Sequence, residues 1–361
     1  AQSPTLLADT RHVTVRLTYS RRATAAVVAV VLAALLPAHT SARAAAYPDS
    51  QQVRLLAALQ EDLYNDRYDA AEKVARLMVS SYPDDPLGHL FTGITLVTAA
   101  YDAEEALRER EFRTSLAAAE RVAGLQIASG DRHTRAWGFL VLGHAASYRA
   151  VWEAKFGSKL TAARAGRTAA GLYERGLRAD STVYDLYFGL GLYHYWKSAK
   201  AGVLRWLGIV SDDKERGLRE LETAAEGSLI SREAARSSLV WVRLDRKEYR
   251  EAVALGDSLM RRYPHSRSFL WPVAEAQYRL GRYADAAAAY GRLREMLREE
   301  PGNYYNLIEC DYRIARCFEM MGLPGEWAGT AADVSGYMGE VSEETQERQR
   351  ERLEYLGVAG E

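Results

Sequence analysis

A four-residue pattern that starts with tyrosine and ends with alanine recurs along this chain at a spacing of 34 residues. It occurs at residues 249–252 and again at residues 283–286, each time after an amphipathic stretch and a short turn. Residues 68–71 carry the same pattern near the beginning of the chain. A fixed period of this length is typical of repeat proteins, in which the apolar face of each unit is buried only by its neighbours. The repeat therefore predicts one continuous array rather than two separate globular domains.

The spacing of apolar residues indicates that the repeated unit is made of helices. From residue 50 onward, apolar side chains recur every three or four positions, as in Leu56, Leu59 and Leu63, without sustained alternation of period two. About seven helix pairs are predicted, beginning near residues 52, 86, 136, 184, 233, 267 and 308. The third pair is expected to be stretched, and the fourth to carry an insertion at residues 197–210. We therefore predict an all-α fold, an α-α superhelical solenoid.

Particular residues in these units resemble the tetratricopeptide repeat, a helix–turn–helix unit of 34 residues. The resemblance rests on a small residue in the second helix and a closing proline, here Ala71, Ala169, Ala252, Ala286, Pro83 and Pro264. It implies a solenoid over residues 47–339 whose concave groove holds a partner protein. Residues 340–361 are predicted to form a charged capping helix and a tail.

A narrower resemblance lies in the fourth unit, around Trp206, Gly208, Gly217 and Leu221. This segment is similar to the centre of one eukaryotic family of tetratricopeptide proteins, which includes the inclusion-body-clearance protein of the mitochondrial outer membrane. The similarity covers about 40 residues. It implies a non-enzymatic helical scaffold that works near a membrane or lipid.

The first 46 residues have the pattern of a secretory signal peptide. Arg21 and Arg22 precede an apolar run at residues 23–36, and Ala44 and Ala46 form a cleavage site. The run has 14 residues, fewer than the roughly 20 that span a bilayer. The chain is therefore expected to be exported to the periplasm or beyond the cell. An uncleaved N-terminal membrane anchor is the alternative, and the true translation start is left open.

The charge balance bears on the class of partner. The chain has 47 Lys and Arg against 48 Asp and Glu, and removing the leader leaves 42 against 47, a net charge of −5. A mildly acidic surface disfavours nucleic acid or an anionic membrane as the main partner. A protein or peptide partner is therefore predicted, with its identity and the oligomeric state left open.

No motif in the sequence indicates an enzyme, a cofactor or a metal site. The seven His lack the spacing of metal ligands, and neither a nucleophile elbow nor a phosphate-binding loop is present. His144 and His194 are interpreted as hydrogen-bonded core residues. Cys310 and Cys317 lie seven positions apart, about 10.5 Å along a helix, which is too far for a disulfide.

Aromatic residues supply the candidate binding site, since the chain contains 22 Tyr and 7 Trp. The tetratricopeptide resemblance places three positions of each first helix on the concave face, including Ser237 and Leu244 in the fifth unit. The predicted partner-binding residues are Phe188, Leu192, Tyr195, Trp241, Trp271, Glu275 and Tyr278. Accessible Trp and Tyr favour binding of an extended peptide or an apolar segment. The alternative is that these rings fill space between repeats.

The insertion at residues 197–210 is a second candidate site. Leu204, Trp206 and Leu207 are predicted to contact a membrane or ligand as part of a short amphipathic helix, or else to fold back onto the solenoid. The chain is thus predicted to be an exported, non-enzymatic scaffold that binds an extended or helical partner segment in its groove. The alternative is a carrier of an apolar small molecule or lipid, or a membrane-proximal adaptor, that uses residues 187–210.

Overall fold

The regular elements of the protein are helical throughout the part of the chain that the structure describes. This computed structural model describes residues 47–200, 211–300 and 302–358, without the side chains of Ser129 and Lys200. Within these ranges the chain forms 16 α-helices and no β-strand, which confirms the predicted all-α solenoid. The predicted leader lies outside the described residues, and so do Leu204, Trp206 and Leu207.

Fourteen of the helices form seven consecutive helix–turn–helix pairs. Pair 1 is α1 (Ser50–Tyr64) and α2 (Tyr68–Ser81), pair 2 is α3 (Pro86–Asp102) and α4 (Glu109–Ser129), pair 3 is α5 (Arg132–Phe156) and α6 (Lys159–Ala179), pair 4 is α7 (Asp185–Lys200) and α8 (Lys214–Gly227), pair 5 is α9 (Arg232–Asp245) and α10 (Tyr249–Arg262), pair 6 is α11 (Arg267–Arg279) and α12 (Tyr283–Arg298), and pair 7 is α13 (Tyr304–Met321) and α14 (Pro324–Tyr337). Each helix packs on the next one along the chain.

Polar residues at the helix starts explain several of these boundaries. Asp49 caps α1 in a reciprocal capping box with Gln52, and the Asp131 and Ser266 side chains accept backbone N–H bonds at the starts of α5 and α11. Buried Asp185 accepts hydrogen bonds from the backbone N–H groups of three residues between α8 and α9, residues 229–231. These bonds fix the direction in which each helix leaves its turn.

Small residues let the paired helices approach closely. The alanines of the repeat pattern are all buried, namely Ala71, Ala169, Ala252 and Ala286. In pair 3 the ring of Tyr173 packs against Gly143 and Gly189, and a Cβ atom on Gly189 would lie 2.1 Å from that ring. Any larger residue at position 189 would push the helices of pairs 3 and 4 apart.

The C-terminal segment differs from the single capping helix that the sequence predicts. It forms a 3₁₀ turn (Met338–Glu340), then α15 (Glu343–Arg348) and α16 (Arg350–Tyr355). The helix breaks at Gln349, whose buried side chain donates a hydrogen bond to the carbonyl oxygen of Tyr305 in α13. Leu353 and Leu356 pack with Ile308 of α13, so the segment covers the last pair.

The solenoid curves until its first two pairs contact its last pairs. The ring of Tyr64 at the end of α1 lies 5.4 Å from Phe269 in α11, measured between ring centroids. Asn303 and Asn306 donate hydrogen bonds of 2.8 and 2.7 Å to the carbonyl oxygen of Asp102 at the end of α3. The concave side is therefore enclosed by contacts between distant parts of the sequence.

Two further observations concern the described residues. Cys310 and Cys317 are both buried and are not joined in a disulfide. Within the ranges listed above, no helix is both long and apolar enough to cross a membrane.

Candidate functional site

The concave side of the solenoid encloses a cavity of about 820 Å³, which we call the central cavity. Side chains from pairs 1, 2, 3, 5, 6 and 7 and from α16 form its wall. They are Tyr68, Val97, Thr98, Tyr101, Asp102, Glu104, Tyr148, Val151, Trp241, Ser268, Trp271, Glu275, Tyr290, Tyr305, Asn306, Glu309, Arg313 and Arg352. A concave space of this size, bounded by aromatic rings and a few polar groups, is typical of a ligand-binding site.

Several large apolar side chains of the central cavity are exposed to solvent. Tyr101 is 51% exposed, Trp241 43% and Val151 39%. Buried rings elsewhere fill the core, whereas these three lie on the surface of a depression where a bound molecule can cover them. Burial of such surface is the main favourable contribution to binding, and aromatic residues contribute most of it at protein interfaces.

Trp271 packs against the ring of Tyr290, which is itself held by a hydrogen bond to a carboxylate. Its indole lies edge-on to Tyr290, with 5.9 Å between the ring centroids. The Tyr290 hydroxyl donates a hydrogen bond of 3.2 Å to Oε2 of Glu275, one turn of α11 beyond Trp271. This arrangement fixes the indole before any ligand arrives, which reduces the loss of side-chain entropy on binding.

A chain of charged side chains runs along the wall of the central cavity formed by α11, α13 and α16. Arg313 donates to Glu275 and to Glu309 at 3.1 and 2.8 Å, and Glu309 also accepts from Nε of Arg352 at 2.6 Å. Among the described residues, the guanidinium of Arg352 has no acceptor other than Glu309. Its remaining N–H groups are therefore available to a carbonyl or carboxylate oxygen of a ligand.

A buried charge cluster, which we call the seam, closes the cavity between the first two pairs and the sixth. Arg267 at the start of α11 is 3% exposed, and its Nη2 lies 2.6 Å from Oδ2 of Asp102. Its backbone N–H donates to Asp66, and its guanidinium also contacts Glu300 at 3.0 Å. Burial, together with the neighbouring charge of Asp102, raises the pKa of Asp66 to about 7.

A smaller cavity of about 230 Å³, which we call the side chamber, adjoins the central cavity. The two share Thr98, Tyr148 and Ser268 as lining residues. The other lining residues are Gln60, Leu63, Tyr64, Phe91, Ile94, His144, Phe188, Ile230, Ser231, Ala234, Ser237, Ser238 and Phe269. The side chamber is therefore a mainly apolar recess that lies next to the larger, more polar site.

Both histidines that the sequence marks as core residues are buried and hydrogen-bonded. Nδ1 of His144 lies 2.8 Å from the hydroxyl of Tyr173, and Nδ1 of His194 lies 2.6 Å from Oε2 of Glu220. Burial lowers the pKa of His144 to about 4, so this imidazole is neutral at physiological pH. Unlike His194, His144 also lines the side chamber.

The structure brings four of the seven predicted binding residues to these cavities. Trp241, Trp271 and Glu275 line the central cavity, and Phe188 lines the side chamber. Ser237, another predicted concave position, also lines the side chamber. Whether any of them contacts a partner stays a prediction.

The other three predicted residues lie elsewhere. Tyr195 is fully buried, and its hydroxyl donates a hydrogen bond of 2.7 Å to Asp245 at the end of α9, so it belongs to the core and not to the concave surface. Tyr278 is half-buried with its ring edge-on to Tyr283, and Leu192 packs on the core of pairs 4 and 5. Tyr195 and Tyr278 occupy the last predicted position of their helices, where the neighbouring helix covers the side chain.

Sequence reasoning missed a set of cavity residues, namely Tyr101, Tyr148, Tyr305, Arg313 and Arg352. Tyr101 and Tyr148 extend an apolar stripe with Val97 and Val151, so the spacing that predicts helices also marks them. Arg352 carried no such signal, because it reaches the cavity from the C-terminal segment, outside the repeats.

No group of three or more His, Cys, Asp or Glu side chains that could hold a metal ion occurs in the described ranges. The charged residues of the central cavity instead form ion pairs with arginine and lysine.

Comparison with known proteins gives one family match and similarities to several solved structures. Residues 196–303 match the model of a family described as the bacterial transcriptional activator domain, which covers under a third of the chain. A solved structure of the C-terminal part of a TPR repeat-containing protein from Cytophaga hutchinsonii is similar at 13% sequence identity and a TM-score of 0.39. That similarity covers 81% of this chain and 98% of the other. No curated protein matches. The helix pairs, their period and their buried small residues make this chain a TPR-like helical repeat protein.

Proposed function

We propose that this protein is a non-enzymatic binding scaffold that captures an extended or short helical segment of a partner protein in its central cavity. The observation that carries the proposal is the exposure of Tyr101, Val151 and Trp241 inside a concave, enclosed site. Exposed apolar surface that is concave and bounded by polar groups is typical of a recognition site.

The dimensions of the site favour a segment over a folded domain. Its volume of about 820 Å³ lies in the range that holds a drug-sized ligand, and the seam restricts the ways in. Aromatic side chains would contact the side chains of the segment, while Arg352 offers donors to its backbone carbonyls. Most of the binding energy of a protein interface comes from a few Trp, Tyr and Arg residues, and the cavity supplies all three types.

The charged groups of the central cavity support binding in preference to catalysis. Glu275 accepts from Arg279, Arg313 and Tyr290, and Glu309 is held between two arginines. Carboxylate oxygens already engaged by these donors are not directed at a substrate proton, so the arrangement does not favour a general base. The proposal therefore includes no chemical step and no cofactor.

The test is the double substitution Trp241→Ala with Trp271→Ala. Peptides are selected from a displayed random library against the wild-type protein, and their affinities are measured by fluorescence anisotropy. The double variant is expected to bind them at least tenfold more weakly, because it removes two aromatic contacts. Trp327→Ala is the matched control, since this tryptophan packs near Tyr355, away from both cavities.

Two outcomes would contradict the assignment. Unchanged peptide affinity in the double variant would place the binding surface elsewhere. A large fall in melting temperature would show that the two rings stabilise the fold, and the affinity loss would then be secondary.

We also propose that the scaffold works outside the cytoplasm, which the pattern of residues 1–46 supports. A second candidate is a module of a transcriptional regulator, favoured by the family match over residues 196–303. Cell fractionation followed by N-terminal sequencing separates the two. A periplasmic protein that begins near residue 47 supports export, whereas a cytoplasmic protein with an intact N-terminus supports the regulator.

A carrier of an apolar small molecule is the remaining alternative, and the side chamber is the observation that favours it. Native mass spectrometry of protein purified from its source would then show a retained ligand of defined mass. Protein that is empty in every preparation, yet binds peptides, would reject the carrier function.

A further inference from the structure

We propose that the side chamber is an anchor subsite that takes the side chain of a tyrosine from the bound segment. The proposal rests on the proposed function and names the chemistry by which the scaffold selects its partner. It follows from the size of the chamber, its position beside the central cavity and one buried nitrogen, Nε2 of His144, among the polar atoms of its wall.

The size of the chamber suits one aromatic ring. Its volume is about 230 Å³, and an apolar cavity of roughly 150 Å³ in another protein is large enough to bind benzene. The rings of Phe91, Phe188 and Phe269 and the side chain of Ile94 supply apolar contacts. A charged side chain would lose its hydration in such surroundings without gaining a counter-ion, so anchors such as Lys or Glu are disfavoured.

The chamber can be reached from the proposed binding site. Thr98, Tyr148 and Ser268 belong to both walls, so a segment that lies in the central cavity runs directly beside the chamber. A side chain that projects from the segment can enter while its backbone remains beside Trp241 and Trp271.

His144 supplies the polar atom. His144 lines the chamber, and its Nδ1 is engaged by Tyr173, which does not line it, so Nε2 is the ring nitrogen left for a molecule in the chamber. No described residue forms a hydrogen bond with Nε2. A ring that enters without a polar tip would therefore leave this atom buried and unpaired, which is unfavourable.

A phenol is the ring that satisfies this atom in either tautomer of His144. The Tyr173 hydroxyl also lies 2.9 Å from Oγ of Ser147, so the proton on the Nδ1–Tyr173 bond can sit on either side. When the Tyr173 hydroxyl donates to Nδ1, the ring proton is on Nε2, which is then a donor. When Nδ1 donates to Tyr173, Nε2 is an acceptor. A phenolic hydroxyl both donates and accepts a hydrogen bond. It lies at the far end of the ring, so it can reach Nε2 of His144 when the ring enters the chamber.

The first experiment uses two probes on the full chain, p-cresol as the tyrosine side chain and toluene as that of phenylalanine. NMR titration is expected to show that wild-type protein binds p-cresol about tenfold more tightly than toluene. His144→Phe should reduce this ratio to near one, with its folding checked by melting temperature. Ser237→Phe, which leaves His144 in place and fills the chamber, should abolish binding of both probes, and Ser237→Ala should not.

The second experiment asks whether the partner segment uses the chamber. Peptides selected against wild-type protein are expected to share a tyrosine, and changing it to phenylalanine should weaken binding about tenfold. Ser237→Phe should weaken these peptides by at least the same factor.

The outcomes separate this inference from the proposed function. Equal affinity for p-cresol and toluene, or no binding of either, overturns the chemistry assigned to His144. Peptides that lack a shared tyrosine or ignore Ser237→Phe, yet need Trp241 and Trp271, overturn the anchor while the scaffold function stands. Failure to bind any peptide, with p-cresol still bound, overturns the scaffold function, and the tyrosine anchor falls with it.

Discussion

Helices α7 and α11 occupy equivalent places in their repeat units but serve different parts of the molecule. The same concave positions were predicted to bind a partner in both. In α7, Tyr195 lies in the core, and Phe188 is the predicted position that lines the side chamber. In α11, Trp271 and Glu275 line the central cavity, and Arg267 closes the seam.

The difference shows that the repeat register alone does not decide which concave side chains of a helix are accessible to a ligand. Tyr195 is covered by α8 and α9, and its hydroxyl bonds to Asp245, so the neighbouring pair buries it. The inner face of α11 looks across open space toward α3 instead. The three-dimensional path of the superhelix therefore decides which aromatic residues stabilise the fold and which can bind a ligand.

The largest expected effect comes from the buried end of α11. Arg267→Ala leaves buried Asp66 and half-buried Asp102 without their cation, and removal of one partner of a buried ion pair destabilises a protein by about 3–5 kcal/mol. Urea unfolding measures this free energy. Arg279→Ala on the same helix is the control, because Arg279 is exposed and its pair with Glu275 should contribute at most about 0.5 kcal/mol. Equal effects would show that the seam carries no special stability.

The pH dependence of stability should follow from the same cluster. The pKa of Asp66 is about 7 in the folded protein and roughly 3.9 in an unfolded chain. Between these values the folded state holds a proton that the unfolded state has released, so this group makes the protein less stable as pH rises from about 4 to about 7. The accumulated contribution is on the order of 2–4 kcal/mol.

Asp66→Asn should remove that part of the pH dependence. Urea unfolding of wild-type and variant proteins at pH 4.5, 6 and 7.5 tests the expectation. A variant whose free energy of unfolding falls with pH as steeply as that of wild type would show that Asp66 is ionised throughout.

The smallest expected effects come from changing one ring of the core, Tyr195, and one exposed ring of the central cavity, Trp241. Tyr195→Phe removes the part-buried hydrogen bond from the buried Tyr195 ring to exposed Asp245 and should lower the free energy of unfolding by about 1–2 kcal/mol. Trp241→Phe alters a ring that is 43% exposed and should change it by at most about 0.5 kcal/mol. Thermal and urea unfolding of both variants provides the measurement. The reverse order would mean that Trp241 is a core residue and that the central cavity is occupied by its own side chains.

The helical array was predictable because its signals are local. The spacing of Leu56, Leu59 and Leu63 and the alanines of the second helices depend only on neighbours along the chain. The same holds for Trp241 and Trp271, whose position on the concave face follows from the unit itself.

The closure of the cavity was not predictable, because it depends on contacts without a periodic signature. Arg267 and Asp102 are 165 positions apart in the sequence, and neither residue differs in type from many exposed ones. The contribution of Arg352 to the cavity wall also depends on such a contact, because this residue lies in the C-terminal segment outside the repeats. The burial of Tyr195 likewise required the position of α9, which the repeat pattern does not specify.

The seam has a consequence for how the chain unfolds. In an open repeat array each unit contacts only its neighbours, so unfolding proceeds like a one-dimensional Ising chain and the ends fray first. Here Arg267 joins the first two pairs to the sixth, and Asn303 and Asn306 join the second pair to the seventh. The terminal pairs, which would otherwise unfold independently, thereby stabilise each other. The array is expected to unfold with the all-or-none cooperativity of a closed domain. Amide hydrogens of α1 should accordingly exchange almost as slowly as those of the central pairs.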